Sequence, residues 1–124
     1  MLQTSGFVAT LFHGPAQPDK VTVALTMALA ARRKGHDSCL ILMADGVTLG
    51  VPGAADGVDI GQPFEPAAAL LREYLELGGR VAVCKSCMLH HGLNAAQMDS
   101  RYAIIGAPDV IDLLMGARGT LQLA

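Results

Sequence analysis

Charge is scarce in this sequence. Only 16% of its 124 residues are Asp, Glu, Lys or Arg, while 52% are apolar. A chain wetted on every side would carry more charge, so the apolar excess implies a large core plus an interface buried between copies. Neither sign dominates: 9 basic residues stand against 11 acidic ones, for a formal net charge of −2. The one basic run, Arg32-Arg33-Lys34, falls where a helix is expected to end, and cations there complement the helix dipole. Nucleic-acid binding, which needs clustered Lys and Arg, is not expected.

Long apolar runs are also missing. The strongest candidate, Val21–Ala31, is interrupted by Thr22 and Thr26 and is far short of the ~20 residues that span a bilayer. The first residues, Met1 to Gly6, carry no basic segment, so no secretory signal is expected. G-x-G-x-x-G and Walker sequences are absent, and Gly14 and Gly46 are lone glycines, which leaves nucleotide binding without support. Cysteine is sparse and odd in number: Cys39, Cys84 and Cys87. That argues against a disulfide framework and for a reducing, cytoplasmic setting in which thiols react or bind metal. Nothing calls for a cofactor.

What is present alternates between strand-like and helix-like segments, the pattern of an α/β domain with a mainly parallel sheet. The length suits one domain over residues 1–124, which needs no disulfide or metal staple. Strands are expected at Phe7–Phe12, Cys39–Met43, Arg80–Cys84, Ala103–Ile105 and, at a sheet edge, Thr120–Leu123. The spacing of Val21, Ala24, Leu25, Ala28 and Leu29 predicts a helix from Pro18 or Asp19 to Lys34. Further helices are expected over Pro66–Leu77, Lys85–His91 and Pro108–Met115, with glycines beyond their ends. Val47–Pro63, rich in glycine, reads as a long irregular surface loop with a turn of helix near Val47–Leu49.

In an open parallel sheet, ligands bind beyond the carboxyl ends of the strands. Four segments should end there: His13 after the first strand, Asp45-Gly46 after the second, Cys84 at the third, and Gly106-Ala107-Pro108 after the fourth. Cys84 stands where strand becomes helix, so helical N–H groups and Lys85 favour its thiolate, the nucleophile of sulfur transfer and disulfide exchange. The competing reading is a buried structural cysteine. Cys87, three residues on, is a resolving thiol, a second sulfur carrier or a packing residue. Cys39, inside an apolar strand, is inert core. Asp45-Gly46 also suits a plain turn, and His36 is surface. Cys84, Cys87, His90 and His91 form a conceivable metal set, but C-x2-C-x2-H-H does not match zinc spacings, so no metal is expected.

The segments Thr10-Leu11-Phe12-His13-Gly14-Pro15, Met43-Ala44-Asp45-Gly46-Val47 and Arg80-Val81-Ala82-Val83-Cys84-Lys85-Ser86-Cys87-Met88 occur in that order. From about Phe7 onward the sequence resembles the DsrE/DsrF/DsrH-like proteins, which include TusD-type sulfur-relay subunits and YchN-like proteins. The resemblance implies a three-layer α/β/α domain with a five-stranded sheet, assembled as a trimer or hexamer. It also implies a sulfur carrier or sulfurtransferase whose cysteine at the strand end, here Cys84, accepts sulfur as a persulfide or thiosulfonate. Cys87 matches a second cysteine of the YchN-like branch. The implied partners are TusA-like carriers or rhodanese-like donors. One departure is His91-Gly92, where many relatives have Arg-Gly; histidine holds an anion only when protonated, whereas arginine does so always. Lys85, His13, Asp45 and His91 are then supporting residues. Two other classes stay open: a C-x-x-C thiol–disulfide protein, and a non-enzymatic module that binds a metal or a partner.

Overall fold

The computed structural model describes residues 6–124; the segment read above for a secretory signal lies outside them apart from Gly6. Five strands, β1 (Phe7–Leu11), β2 (Ser38–Leu42), β3 (Arg80–Cys84), β4 (Ala103–Ile105) and β5 (Gly119–Leu123), form one sheet in the order β4-β3-β2-β1-β5. All four pairings are parallel. Between them run the helices α1 (Pro18–Arg33), α2 (Ala67–Glu76), α3 (Lys85–His90) and α4 (Ala107–Gly116), with 3-10 turns at Ala44–Gly50 and Ala95–Gln97.

The layering follows from chain handedness. From β1 to β4 each connection steps the same way across the sheet, and right-handed crossovers place the intervening helices on one face. From β4 the chain returns to the far side of β1, so the same hand puts α4 on the opposite face. The core divides accordingly. Ala9, Leu11, Leu40, Leu42, Val81 and Val83 pack with Val21, Leu25, Leu29, Leu70 and Tyr74 of α1 and α2. The alternate strand positions Val8, Cys39, Ile41 and Ala82 pack with Val110 and Leu113 of α4. Because both faces are covered, β2 is buried along its whole length and shows no polar alternation. The result is the expected three-layer α/β/α arrangement, and β5 is an edge strand beside β1.

The helix ends obey the expected local chemistry. Pro18 opens α1, Arg32 and Arg33 occupy its last turn, and Gly35 follows at φ +87°. Among the described residues no helix is long and apolar enough to cross a membrane. The segment expected as a surface loop is different. Its 3-10 turn starts at Ala44 and runs to Gly50, and Val47, Leu49, Ala55 and Val58 are buried in the core. Glycines and prolines set the conformation there, but the apolar residues between them anchor it to the sheet.

Tyr74 ties α2 to the sheet. Its hydroxyl lies 2.7 Å from the Arg80 carbonyl oxygen and 3.0 Å from that of Ser38, so one phenol bridges the starts of β3 and β2. Burial pushes the phenol up from its ordinary pKa, which keeps the proton available to donate. The ring rests on the backbone at Gly79, where a Cβ would come within 2.3 Å of it. Replacing Tyr74 by Phe leaves buried carbonyls without this donor and should cost about 1–2 kcal/mol. A lower urea midpoint with an unchanged slope would show it.

Candidate functional site

β3 ends in Cys84, and α3 begins at the next residue. Cys84 has extended backbone angles, φ −67° and ψ 115°, and occupies the N-cap position. Residues three apart on a helix share a side, so Cys87 returns to Cys84 after one turn. Cys84 lies close enough to influence the ionisation of Cys87. They differ in access: Cys84 is 6% exposed, while Cys87 is half-buried. Lys85 and Ser86, the residues between, are exposed.

The 3-10 turn after β2 closes over this pair. Partial burial pushes the Cys87 thiol up from the ordinary range; an Ala44 backbone hydrogen bond pulls it down, and the Cys84 sulfur raises it again. A backbone group that lowers a thiol pKa stabilises the thiolate and is therefore an N–H donor. Ala44 stands at φ +49°, alone among described non-glycine residues in having a positive φ. Such a conformation costs about 1–2 kcal/mol for a residue with a Cβ and persists where the surroundings impose it. Here the surroundings are β2, whose ladder continues past its end as Met43 N–H donates to Leu11 O at 3.0 Å, and α3 on the other side.

Asp45 and His91 meet at the far end of α3, with His91 Nε2 3.3 Å from Asp45 Oδ1. The Asp45 side chain is 71% exposed, so the pair contributes little stability, but it spans from the turn after β2 to the end of the cysteine-bearing helix. Sequence order alone does not reveal this pairing; it depends on β2 lying beside β3. His13 is elsewhere. Its Nε2 lies 3.3 Å from Lys20 Nζ, and β1 is separated from β3 by β2, a span of roughly 10 Å at ordinary strand spacing. The loop carrying His13 still touches the Asp45 turn, because a Cβ on Gly14 would stand 3.0 Å from Asp45 O. Lys20 is a residue that sequence reasoning passed over. Its only signal was its place in the first turn of the helix that follows the first strand.

His90 and His91 meet edge to face, with ring planes 89° apart. Among the described residues no group of three or more His, Cys, Asp and Glu is arranged to hold a metal ion. Cys39 is fully buried in β2, and burial pushes its thiol up to about 12. A hollow of about 360 Å³ opens between the Val51–Asp56 segment, α2 and Asp99–Tyr102; no cysteine lines it.

An all-parallel sheet between helical layers, with two thiols one helical turn apart at its carboxyl edge, defines a class of thiol-bearing α/β protein. The chain belongs to the DsrE/DsrF-like family, whose model matches residues 7–122. In fold it is similar to the YchN protein of E. coli, with a TM-score of 0.76 at 20% identity over 98% of this chain and 99% of that one. A conserved protein of unknown function from Bacteroides thetaiotaomicron is similar at a TM-score of 0.63 and 16% identity, over 94% and 93% of the two chains. An uncharacterized protein of Methanocaldococcus jannaschii is 27% identical over 101 residues, which are 82% of this chain and 36% of that protein. The chain thus spans about a third of the length of that curated relative.

The thiol geometry has a measurable consequence. Cys84→Ala removes the neighbour that raises Cys87, so the Cys87 thiol should ionise at lower pH than in the wild type. Alkylation rate against pH follows it: the midpoint should move down, while Cys39 stays unreactive until the protein is denatured.

Proposed function

We propose that this chain is a sulfur carrier or sulfurtransferase that accepts sulfur on Cys84 and passes it to a partner protein. The observation that carries the reading is the pair Cys84 and Cys87, one helical turn apart at the carboxyl edge of the sheet, in a chain of the DsrE/DsrF-like family. The Cys84 thiolate attacks the outer sulfur of thiosulfate, forming the persulfide and expelling sulfite. With tetrathionate it attacks an inner sulfur, forms a thiosulfonate and expels thiosulfate. Both are ordinary thiolate displacements.

Supporting roles follow from charge and position. Lys85, next to Cys84, and the His13–Lys20 pair on the same edge favour anionic donors. His91, held at Asp45, offers a further cationic contact when protonated. Partners of this reading are a TusA-like or rhodanese-like protein and further copies of the chain in a trimer or hexamer, in a reducing cytoplasm. Apolar surface for such contacts exists: Leu89 on α3 is 55% exposed, and Ile111 and Met115 on α4 are 57% and 82% exposed. Ile111 and Met115 lie four residues apart and so share one face of α4.

The same thiol pair favours a second reading, a C-x-x-C thiol–disulfide protein. Intact-protein mass spectrometry after polysulfide, thiosulfate or tetrathionate separates the two. A reducible adduct present in the wild type and in Cys87→Ser, and absent from Cys84→Ser, is expected for carriage on Cys84. An adduct lost only in Cys87→Ser would move the acceptor to Cys87. A loss of two hydrogens in the wild type, with no sulfur gained by Cys87→Ser under any donor, would replace carriage by disulfide exchange.

A further inference from the structure

Three features of the molecule bear on what happens after Cys84 is charged, and all three concern Cys87. The first is proximity. Cys84 caps the helix and Cys87 sits one helical turn on, on the same side, so a persulfide on Cys84 is built beside a second thiol. The second is the turn at Ala44. Held in a left-handed backbone conformation, it packs against the helix that carries Cys87 and fixes that helix beside the end of β2. The third is access. Cys84 is nearly enclosed at 6% exposure, which hinders an external thiol but not one already beside it. Effective concentrations of well-placed intramolecular groups far exceed those of dissolved thiols. Cys39, fully buried in β2, is no competitor.

We infer that Cys87 discharges the Cys84 persulfide when no partner takes the sulfur, releasing hydrosulfide and leaving a Cys84–Cys87 disulfide. This rests on the carrier reading above and adds an activity to it, reductive release of sulfane sulfur. Cys87 Sγ attacks Cys84 Sγ, and the new Sγ–Sγ bond forms as the bond from Cys84 Sγ to the outer sulfur breaks. The outer sulfur leaves with that bonding pair and takes up the proton of the Cys87 thiol, departing as hydrosulfide. The outer sulfur is reduced, and the two cysteine sulfurs are oxidised to the disulfide. A dithiol reductant then returns the pair to two thiols in two exchange steps and is itself oxidised to its disulfide. Between turnovers the pair acts as a timer. A partner that docks early receives the sulfur; otherwise it is lost as sulfide.

The test uses the whole chain, charged with polysulfide and freed of donor by desalting. Intact mass and trapped hydrosulfide are followed over time for the wild type, Cys87→Ser and Cys87→Ala, each checked for folding by circular dichroism. In the wild type the sulfur mass should disappear with one hydrosulfide released per chain, and the remaining protein should lack two hydrogens. Peptide mapping should place the bond between Cys84 and Cys87. In both variants the Cys84 persulfide should persist at least about tenfold longer. Equal decay in wild type and variants, or sulfide release without the disulfide, would overturn discharge by Cys87 while leaving Cys84 as carrier. Failure of any chain to gain sulfur would remove both.

Discussion

The carboxyl edge depends on one close approach. The chain leaving β2 passes so near the end of β1 that a Cβ on Gly46 would lie 2.2 Å from Leu11 O. Only glycine fits without moving backbone. Met43 N–H uses the same Leu11 oxygen, so one carbonyl receives the extended ladder and also limits what can follow it. Ala44 is caught between this contact and α3, and its left-handed backbone seats the turn against the cysteine-bearing helix. Without Gly46 the turn would lift, and the cysteine helix would lose its neighbour. The packing here is backbone against backbone, which makes the edge stiff beside the two cysteines.

That stiffness is local. Elsewhere the edge is held by partly exposed polar contacts such as Asp45 with His91 and His13 with Lys20, which water and salt weaken. The molecule therefore combines a fixed seat for two sulfurs with a periphery of titratable and cationic groups that can rearrange around an approaching anion.

Much of this was legible in the sequence. Strands β1 to β5 and the four helices follow from apolar runs, helical spacing and the Gly and Pro that bound them, with ends displaced by a residue or two. Cys84 was legible because a strand-like run ends on it, and Cys87 because three residues is one helical turn. The DsrE/DsrF-like family was legible in three short segments. The rest needed the third dimension. Val47, Leu49, Ala55 and Val58 looked like loop because glycines surround them, yet they fill the core. Asp45 and His91 are distant in sequence and meet only because β2 adjoins β3. His13 lies on the expected edge but is separated from Cys84 by a whole strand. Ala44 carries no signal for a positive φ, since alanine is not the residue that favours it; the tertiary contacts impose it.

The strand order also bears on how the sheet comes into being. Every neighbour pair is parallel, so no two strands join through a tight hairpin, and each pairing closes a long segment of chain. The interior strand β1 is made first among the five, yet one of its two partners is β5, made last. On the ribosome, the β1 edge must wait, open and apolar, while residues 12–118 emerge. The molecule is thus most exposed to wrong pairing not while its thiols are at work but during synthesis, and the short strand Gly119–Leu123 ends that exposure.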